Sequence, residues 1–225
     1  MRIRHKPWAR PELAACPFFI DEPTQIKGQW NRQFPRPAQP LHLELGCGKG
    51  GFIAQMSVTN PQINYLAIDI KNEMLGLAKR NTEKAFAAAG REPDNILLTS
   101  FDIERLPLIL EPADVVERIY INFCNPWPKV KHHKKRLTHT RQLSLYQQFL
   151  RPGGELWFKT DSAPLFLATQ RYLAELEGYT VTYLTHDLHK SGFVGSLPTE
   201  HERMFSEQGL AIHFLIARRD PAQSL

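Results

Sequence analysis

The apolar positions of this chain follow two regimes that change at Leu41. Before it no period holds, and prolines and aromatics are interleaved: Pro7, Trp8, Pro11, Pro17, Phe18, Phe19, Pro23, Trp30, Phe34, Pro35, Pro37 and Pro40. Proline this dense forbids a long helix. Residues 1–40 therefore read as an irregular basic and aromatic arm, its aromatics anchored on the body. After Leu41, short apolar runs alternate with amphipathic segments. Strands are predicted over 41–45, 64–70, 96–99, 118–123 and 155–159. Helices are predicted over 52–58, 73–89, 138–150 and 163–177. Asn60-Pro61 stops the first helix, Gly90 closes the second, Pro152-Gly153-Gly154 stops the third and Gly178 follows the fourth. Two last strands, 180–185 and 210–217, show no helix between them. The alternation predicts an α/β domain over 41–225: a mostly parallel seven-stranded sheet with helices on both faces and an antiparallel edge strand. No internal repeat or low-complexity tract interrupts it.

Composition supports a packed fold. The chain has 225 residues, enough for one sizeable α/β domain, and 42% hydrophobic content argues against disorder. The formal charge is +5 and the pI about 9.2, so the distribution matters more than the sum. Carboxylates scatter, whereas cations cluster at 2–10 and 129–136. Cys16, Cys47 and Cys124 form no Cys-x-x-Cys spacing and no disulfide framework, which fits a reducing cytoplasm. No 18-residue apolar run predicts a membrane span, and the basic N-terminus lacks the apolar stretch of a signal peptide. His132 and His133 lie near Cys124 without zinc-ligand spacing, so no metal is expected.

The first strand runs into Glu44-Leu45-Gly46-Cys47-Gly48-Lys49-Gly50. Glycines there permit a tight turn and close approach of a ligand to the backbone. A dinucleotide site would place pyrophosphate at the following helix, and Glu44 would repel it. That carboxylate suits a cationic ligand bearing a sulfonium and an ammonium group. Asp69 ends the second strand, where an acid can accept from two ribose hydroxyls. Asp102 follows the third, where a side chain could meet an adenine rim. Plain helix N-caps are the competing reading of Asp69 and Asp102. Glu44, Asp69, Asp102 and Asn125 all fall at carboxyl ends of strands, where ligands of open α/β sheets sit.

Residues 119–136, IYINFCNPWPKVKHHKKR, form a strand ending in Asn125-Pro126-Trp127-Pro128 and then a cationic run. A polar side chain beside a rigid proline-aromatic turn can present a flat base, and the cations behind it can hold a phosphate chain. Together with a methyl-donor site this describes a nucleic-acid base methyltransferase. Lys129 reads as a phosphate or ribose contact. Asp161 ends the fifth strand and can accept from a base or cap the next helix. Thr199 and Glu202 form a T-x-x-E capping box. Trp127 stacks on a base or plugs the core; Trp157 reads as core.

With these residues in place the chain resembles the tRNA (guanine-N7)-methyltransferase family, a class I, S-adenosylmethionine-dependent group. The resemblance runs over about 41–218. It rests on LELGCGKG, the NPWPK segment, FKTD at 158–161 and TEHERMFSEQG at 199–209. It implies a Rossmann-like fold, S-adenosylmethionine as methyl donor, and a variable-loop guanine of tRNA, guanine 46, as substrate. By match to the family pattern, Glu44, Gly46, Asp69, Asp102 and Asn125 line the cofactor site, with Asn125 at the catalytic position. Lys129, Asp161, Thr199, Glu200, His201 and Glu202 lie on the substrate side. The chain departs from the pattern at Asn125, where Asp is usual, and at His201, where Tyr or Phe is usual. Guanine N7 carries a lone pair and no proton, so methyl transfer needs alignment rather than a general base. Asn keeps a carbonyl acceptor and loses the charge. The alternatives are a non-catalytic or altered-specificity RNA-binding relative, and an amino-methyltransferase acting on another base or on a protein side chain. The expected setting is a cytoplasmic monomer or homodimer with tRNA as partner and no membrane.

Overall fold

Buried apolar runs alternating with amphipathic segments give eight strands and six α-helices among residues 5–221, which the computed structural model describes. They divide between Asp114 and Val115 into two units.

The first unit contains α1 (Ala9–Ala14), β1 (Phe19–Ile20), β2 (Leu41–Leu45), α2 (Gly51–Thr59), β3 (Asn64–Asp69), α3 (Asn72–Ala88) and β4 (Ile96–Ser100). Its strands lie in the order β1-β4-β3-β2, all parallel. β2 is buried at every position, as a strand covered on both faces must be. Residues 1–40 differ from the irregular arm expected of them. The six-residue α1 is short enough to carry Pro11 in its first turn, where backbone N–H groups lack helical partners anyway. It approaches α3 so closely that a Cβ on Gly76 would lie 2.8 Å from the Trp8 ring. The Arg80 guanidinium lies 3.7 Å from the Trp8 ring centroid and bonds Glu12 through two nitrogens. β1 pairs with β4 and adds a strand beyond the seven expected. Further on, the Trp30 indole is fully buried and donates to the Ile109 carbonyl at 2.6 Å.

The second unit contains β5 (Val116–Asn122), α4 (Thr140–Tyr146), β6 (Leu150–Thr160), α5 (Ala163–Ala174), β7 (Tyr179–Thr185), α6 (Glu200–Glu207) and β8 (His213–Arg219). The strand order is β5-β6-β8-β7. β5 and β6 are parallel, and β8 is antiparallel to both β6 and β7. The reversed strand thus lies one in from the edge. A helix, α6, does intervene between the last two strands. β6 begins five residues earlier than predicted and shortens the helix before it. Val116 pairs with Leu150 but Arg118 with Glu155, so the Pro152-Gly153-Gly154 run is accommodated as an irregularity in the ladder. A Cβ on Gly154 would meet the Glu117 carbonyl oxygen at 2.9 Å. Alternation along β6 sends Phe158 against Phe166 of α5. The opposite face carries Trp157 against Phe193 and Phe214.

Candidate functional site

In the first unit the carboxyl ends of β2, β3 and β4 are consecutive, because Leu45 is in register with Ile68 and Asp69 with Ser100. Gly46, Gly48 and Gly50 all adopt positive φ (75°, 54° and 68°), which fits the tight turn expected of them. The Gly46 and Cys47 N–H groups donate to the Ile68 carbonyl at 2.8 and 3.1 Å. At Gly50 a Cβ would lie 2.5 Å from that of Ala78, so the turn also sets the packing of α2 on α3.

The acids bracket this turn. Glu44 is 3% exposed. The Asp69 carboxylate accepts from the Gly48 and Lys71 N–H groups, both at 2.9 Å. Burial raises its pKa, and the hydrogen bonds from Lys71, Gly48 and Ile70 restrain the rise. Phe101 donates its N–H to the Asp69 carbonyl at 3.1 Å, which draws the Asp102 segment alongside. Asp102 caps a short 3-10 helix, accepting from the Glu104 N–H at 3.0 Å. The capping reading is therefore realised at Asp102. The Asp69 and Asp102 carboxylates retain acceptor capacity beyond these bonds. Burial, then Asp69 and Glu44, push the Cys47 thiol well up, so it is no nucleophile at neutral pH. A buried glutamate and two strand-end aspartates around an open glycine turn fit a ligand that is cationic at one end and hydroxylated at the other.

In the second unit, β5 ends at Asn122 and the chain enters a strained turn. Phe123 and Trp127 have φ of 52° and 42°, rare for bulky residues and frequent at ligand sites. The exposed Asn125 accepts the Trp127 N–H on Oδ1 at 3.0 Å. His132 stacks on the Trp127 ring at 5.4 Å, and the Lys135 ammonium lies 5.2 Å from its centroid. Lys129, Lys131 and Lys134 are exposed. Arg136, expected on the phosphate-binding surface, is instead 5% exposed. It donates to the carbonyls of Pro126 and Trp127 at 2.9 and 3.3 Å and to the Tyr172 hydroxyl at 3.1 Å. In the N-terminal cation cluster, Arg10 pairs with Asp21; Arg4 lies outside the described residues. Burial pushes the Cys124 thiol up to about 12, so it too stays protonated.

Asp161, just past β6, is exposed. Thr199 and Glu202 are buried and make the expected capping box: Thr199 Oγ1 accepts the Glu202 N–H at 2.9 Å, and Glu202 Oε2 accepts the Thr199 N–H at 3.3 Å. The same Oε2 takes the Lys159 ammonium at 2.7 Å. The side chains of Glu200 and His201 lie outside the described residues. Sequence reasoning missed Lys159 and misread Arg136. The signal for Lys159 was a lone cation inside the buried run Leu156-Thr160. Nothing but its place at the end of a cationic run marked Arg136.

Among the described residues no group of three His, Cys, Asp or Glu could hold a metal ion, and no helix is long and apolar enough to cross a membrane.

The fold is that of class I methyltransferases, and the protein is a methyltransferase. It is similar to the 16S rRNA methyltransferase KamB (TM-score 0.58, 19% identity, 81% of this chain and 89% of that one). It is also similar to TrmN from Thermus thermophilus (TM-score 0.53, 17% identity, 94% and 48%). The family model described as "Putative methyltransferase" matches residues 38–215. The tRNA (guanine-N(7)-)-methyltransferase of Ruminiclostridium cellulolyticum is 55% identical over 96% of this chain and 92% of its own length. That of Clostridium beijerinckii is 54% identical over 98% and 100%. The chain belongs to the tRNA (guanine-N7-)-methyltransferase family.

Proposed function

We propose that the protein transfers the methyl group of S-adenosylmethionine to N7 of guanine in tRNA, at position 46 of the variable loop, in the cytoplasm. The observation that carries this reading is the 54–55% identity, over nearly the whole chain, to relatives named tRNA (guanine-N(7)-)-methyltransferase.

Local chemistry supports each half. S-adenosylmethionine supplies an electrophilic methyl when bound. Glu44 offers a buried carboxylate to its cationic end, Asp69 offers acceptors to the ribose hydroxyls, and Asp102 stands at the next strand end for the adenine rim. Guanine N7 attacks through its own lone pair, so the residues on the base side align and stabilise rather than remove a proton. Asn125 holds the base from its strained turn. Lys129, Lys131 and Lys134 contact phosphates. Asp161 and the 199–202 segment complete the substrate side, and the 1–40 segment belongs to the same functional chain.

The test is incubation with labelled S-adenosylmethionine and bulk tRNA, followed by nucleoside analysis. The expected product is 7-methylguanosine, lost from a tRNA whose variable-loop guanine is replaced. Methylated adenine or cytosine would overturn the base assignment, and no labelled nucleoside would overturn the activity.

A further inference from the structure

We infer that Lys159 is a positioning residue that fixes residues 197–202 for tRNA through Glu202, an inference resting on the reading above that this segment meets the substrate. Lys159 is 2% exposed on β6. It stands in register with Phe214 and on the same face as Trp157, so its stem runs through apolar surroundings. Its ammonium donates to Glu202 Oε2 at 2.7 Å and to the Leu197 carbonyl at 3.0 Å. It thus ties both ends of the segment to the sheet.

The capping box does not require this. Thr199 and Glu202 satisfy each other without a lysine, and a buried ion pair rarely stabilises more than the apolar side chains that could replace it. The pair instead specifies a geometry. Glu202 Oε2 is engaged by the Lys159 ammonium and the Thr199 N–H. Its Oε1 is turned toward the His189 imidazole, 3.5 Å away and half-exposed. One carboxylate oxygen serves the capping box and the lysine, and the other meets the half-exposed His189. The Lys159 charge also offsets that of Glu202, which lowers its repulsion of a polyanion. Lys159 therefore acts on tRNA through Glu202 and has no part in holding the methyl donor.

The experiment compares the parent with Lys159→Met, Lys159→Arg, Glu202→Gln and the Lys159→Met/Glu202→Gln double variant. The readouts are thermal melting, KM for S-adenosylmethionine, KM and kcat with tRNA, and the dissociation constant for tRNA. Lys159→Met is expected to raise KM for tRNA roughly tenfold, the scale of a lost charge-assisted hydrogen bond, with KM for S-adenosylmethionine unchanged. The double variant is expected to be no worse than Glu202→Gln alone, because the two residues act as one unit. Lys159→Arg is expected to recover part of the loss. A lowered melting temperature with tRNA KM and dissociation constant at parent values overturns the inference, as does additivity in the double variant. Should Lys159→Met not fold, Lys159→Gln decides, since its shorter, uncharged amide cannot replace the ammonium; parent-like tRNA binding by that variant overturns the inference. A parent that makes no 7-methylguanosine overturns the proposed function instead, and the tRNA dissociation constants still decide the role of Lys159.

Discussion

The carboxamide oxygen of Asn125 accepts the backbone N–H of Trp127 at 3.0 Å, so the side chain expected to hold a base also brackets its own turn. The bond fixes which end is which: a backbone donor requires the oxygen, and the amide nitrogen faces away. The atom left for a ligand is a donor, plus the second lone pair of Oδ1. An aspartate here would keep the turn and replace that donor by a charged oxygen. Asn125→Asp is therefore expected to retain or raise methyl transfer, by up to about tenfold if one charge-assisted bond is regained. Asn125→Ala removes bracket and contact together and is expected to cost on the order of a hundredfold, while calorimetric binding of S-adenosylhomocysteine stays near the parent value. An inactive Asn125→Asp variant beside an active parent would contradict this.

Asp69 gives a pH dependence with a defined sign. Burial raises its carboxyl above the ordinary aspartate value. The folded state then holds the proton more tightly than the unfolded chain does. Its contribution to stability is fully present below the unfolded pKa and is lost as pH rises through the folded one. Cofactor affinity runs the other way, because the ribose hydroxyls need the carboxylate. Calorimetric titration with S-adenosylhomocysteine is expected to weaken on acidification, starting at a higher pH than an unperturbed aspartate would give. Asp69→Asn is expected to weaken binding by about 1–3 kcal/mol and to flatten the acid limb. A parent curve without that limb excludes Asp69 as the contact.

Lys129, Lys131 and Lys134 are exposed beside the Trp127 turn. Each phosphate contact contributes roughly 0.7–0.9 to the slope of log affinity against log salt. Replacing all three with Gln is expected to lower tRNA affinity and flatten that slope by about two units. An unchanged slope would show that this face does not meet the phosphate chain.

Asp114 was not evident as an anchor, yet its carboxylate accepts the N–H groups of Gly28, Trp30 and Glu111 at 3.0–3.1 Å. It holds the segment around the buried Trp30 to the end of the first unit. Asp114→Ala orphans these three donors and is expected to destabilise by about 3 kcal/mol or more, at 1–3 kcal/mol for each group left unpaired. Urea unfolding with an unchanged midpoint would place the anchoring elsewhere, in the Trp30 indole bond to Ile109 for instance.

The sheet was legible where burial on both faces left a continuous apolar run, as in β2, and where Gly or Pro marked a helix end. Asp69 and Asp102 were legible as strand-end acids because position along a parallel strand predicts position at its carboxyl edge. Three kinds of feature were hidden. α1 and β1 are too short for any period to show. α6 was obscured because TEHERMFSEQG is almost wholly polar, and its capping box was the only local mark. Pairings that depend on tertiary geometry, Lys159 with Glu202 and Arg136 with two carbonyls, leave no spacing signal; composition alone counts both cations as surface charge.

Arg136 separates a structural cation from the phosphate-binding ones around it. Its guanidinium spans the Pro126 and Trp127 carbonyls and the Tyr172 hydroxyl, holding a turn that carries φ of 42° at Trp127. A strained residue persists only while its surroundings over-determine it. Lysine keeps the charge but cannot reach three acceptors from one ammonium in a planar fork. Arg136→Lys is therefore expected to lower methyl transfer to tRNA by at least about tenfold, equivalent to roughly 1.4 kcal/mol of lost alignment. The salt slope of tRNA binding should stay at the parent value, in contrast to the lysine variants. Tyr172→Phe removes one bond of the three and is expected to cost about 1 kcal/mol or less. Trp127 fluorescence should shift in Arg136→Lys and barely move in Tyr172→Phe. A salt slope reduced by nearly one unit in Arg136→Lys, with the fluorescence unchanged, would return Arg136 to the phosphate-binding surface.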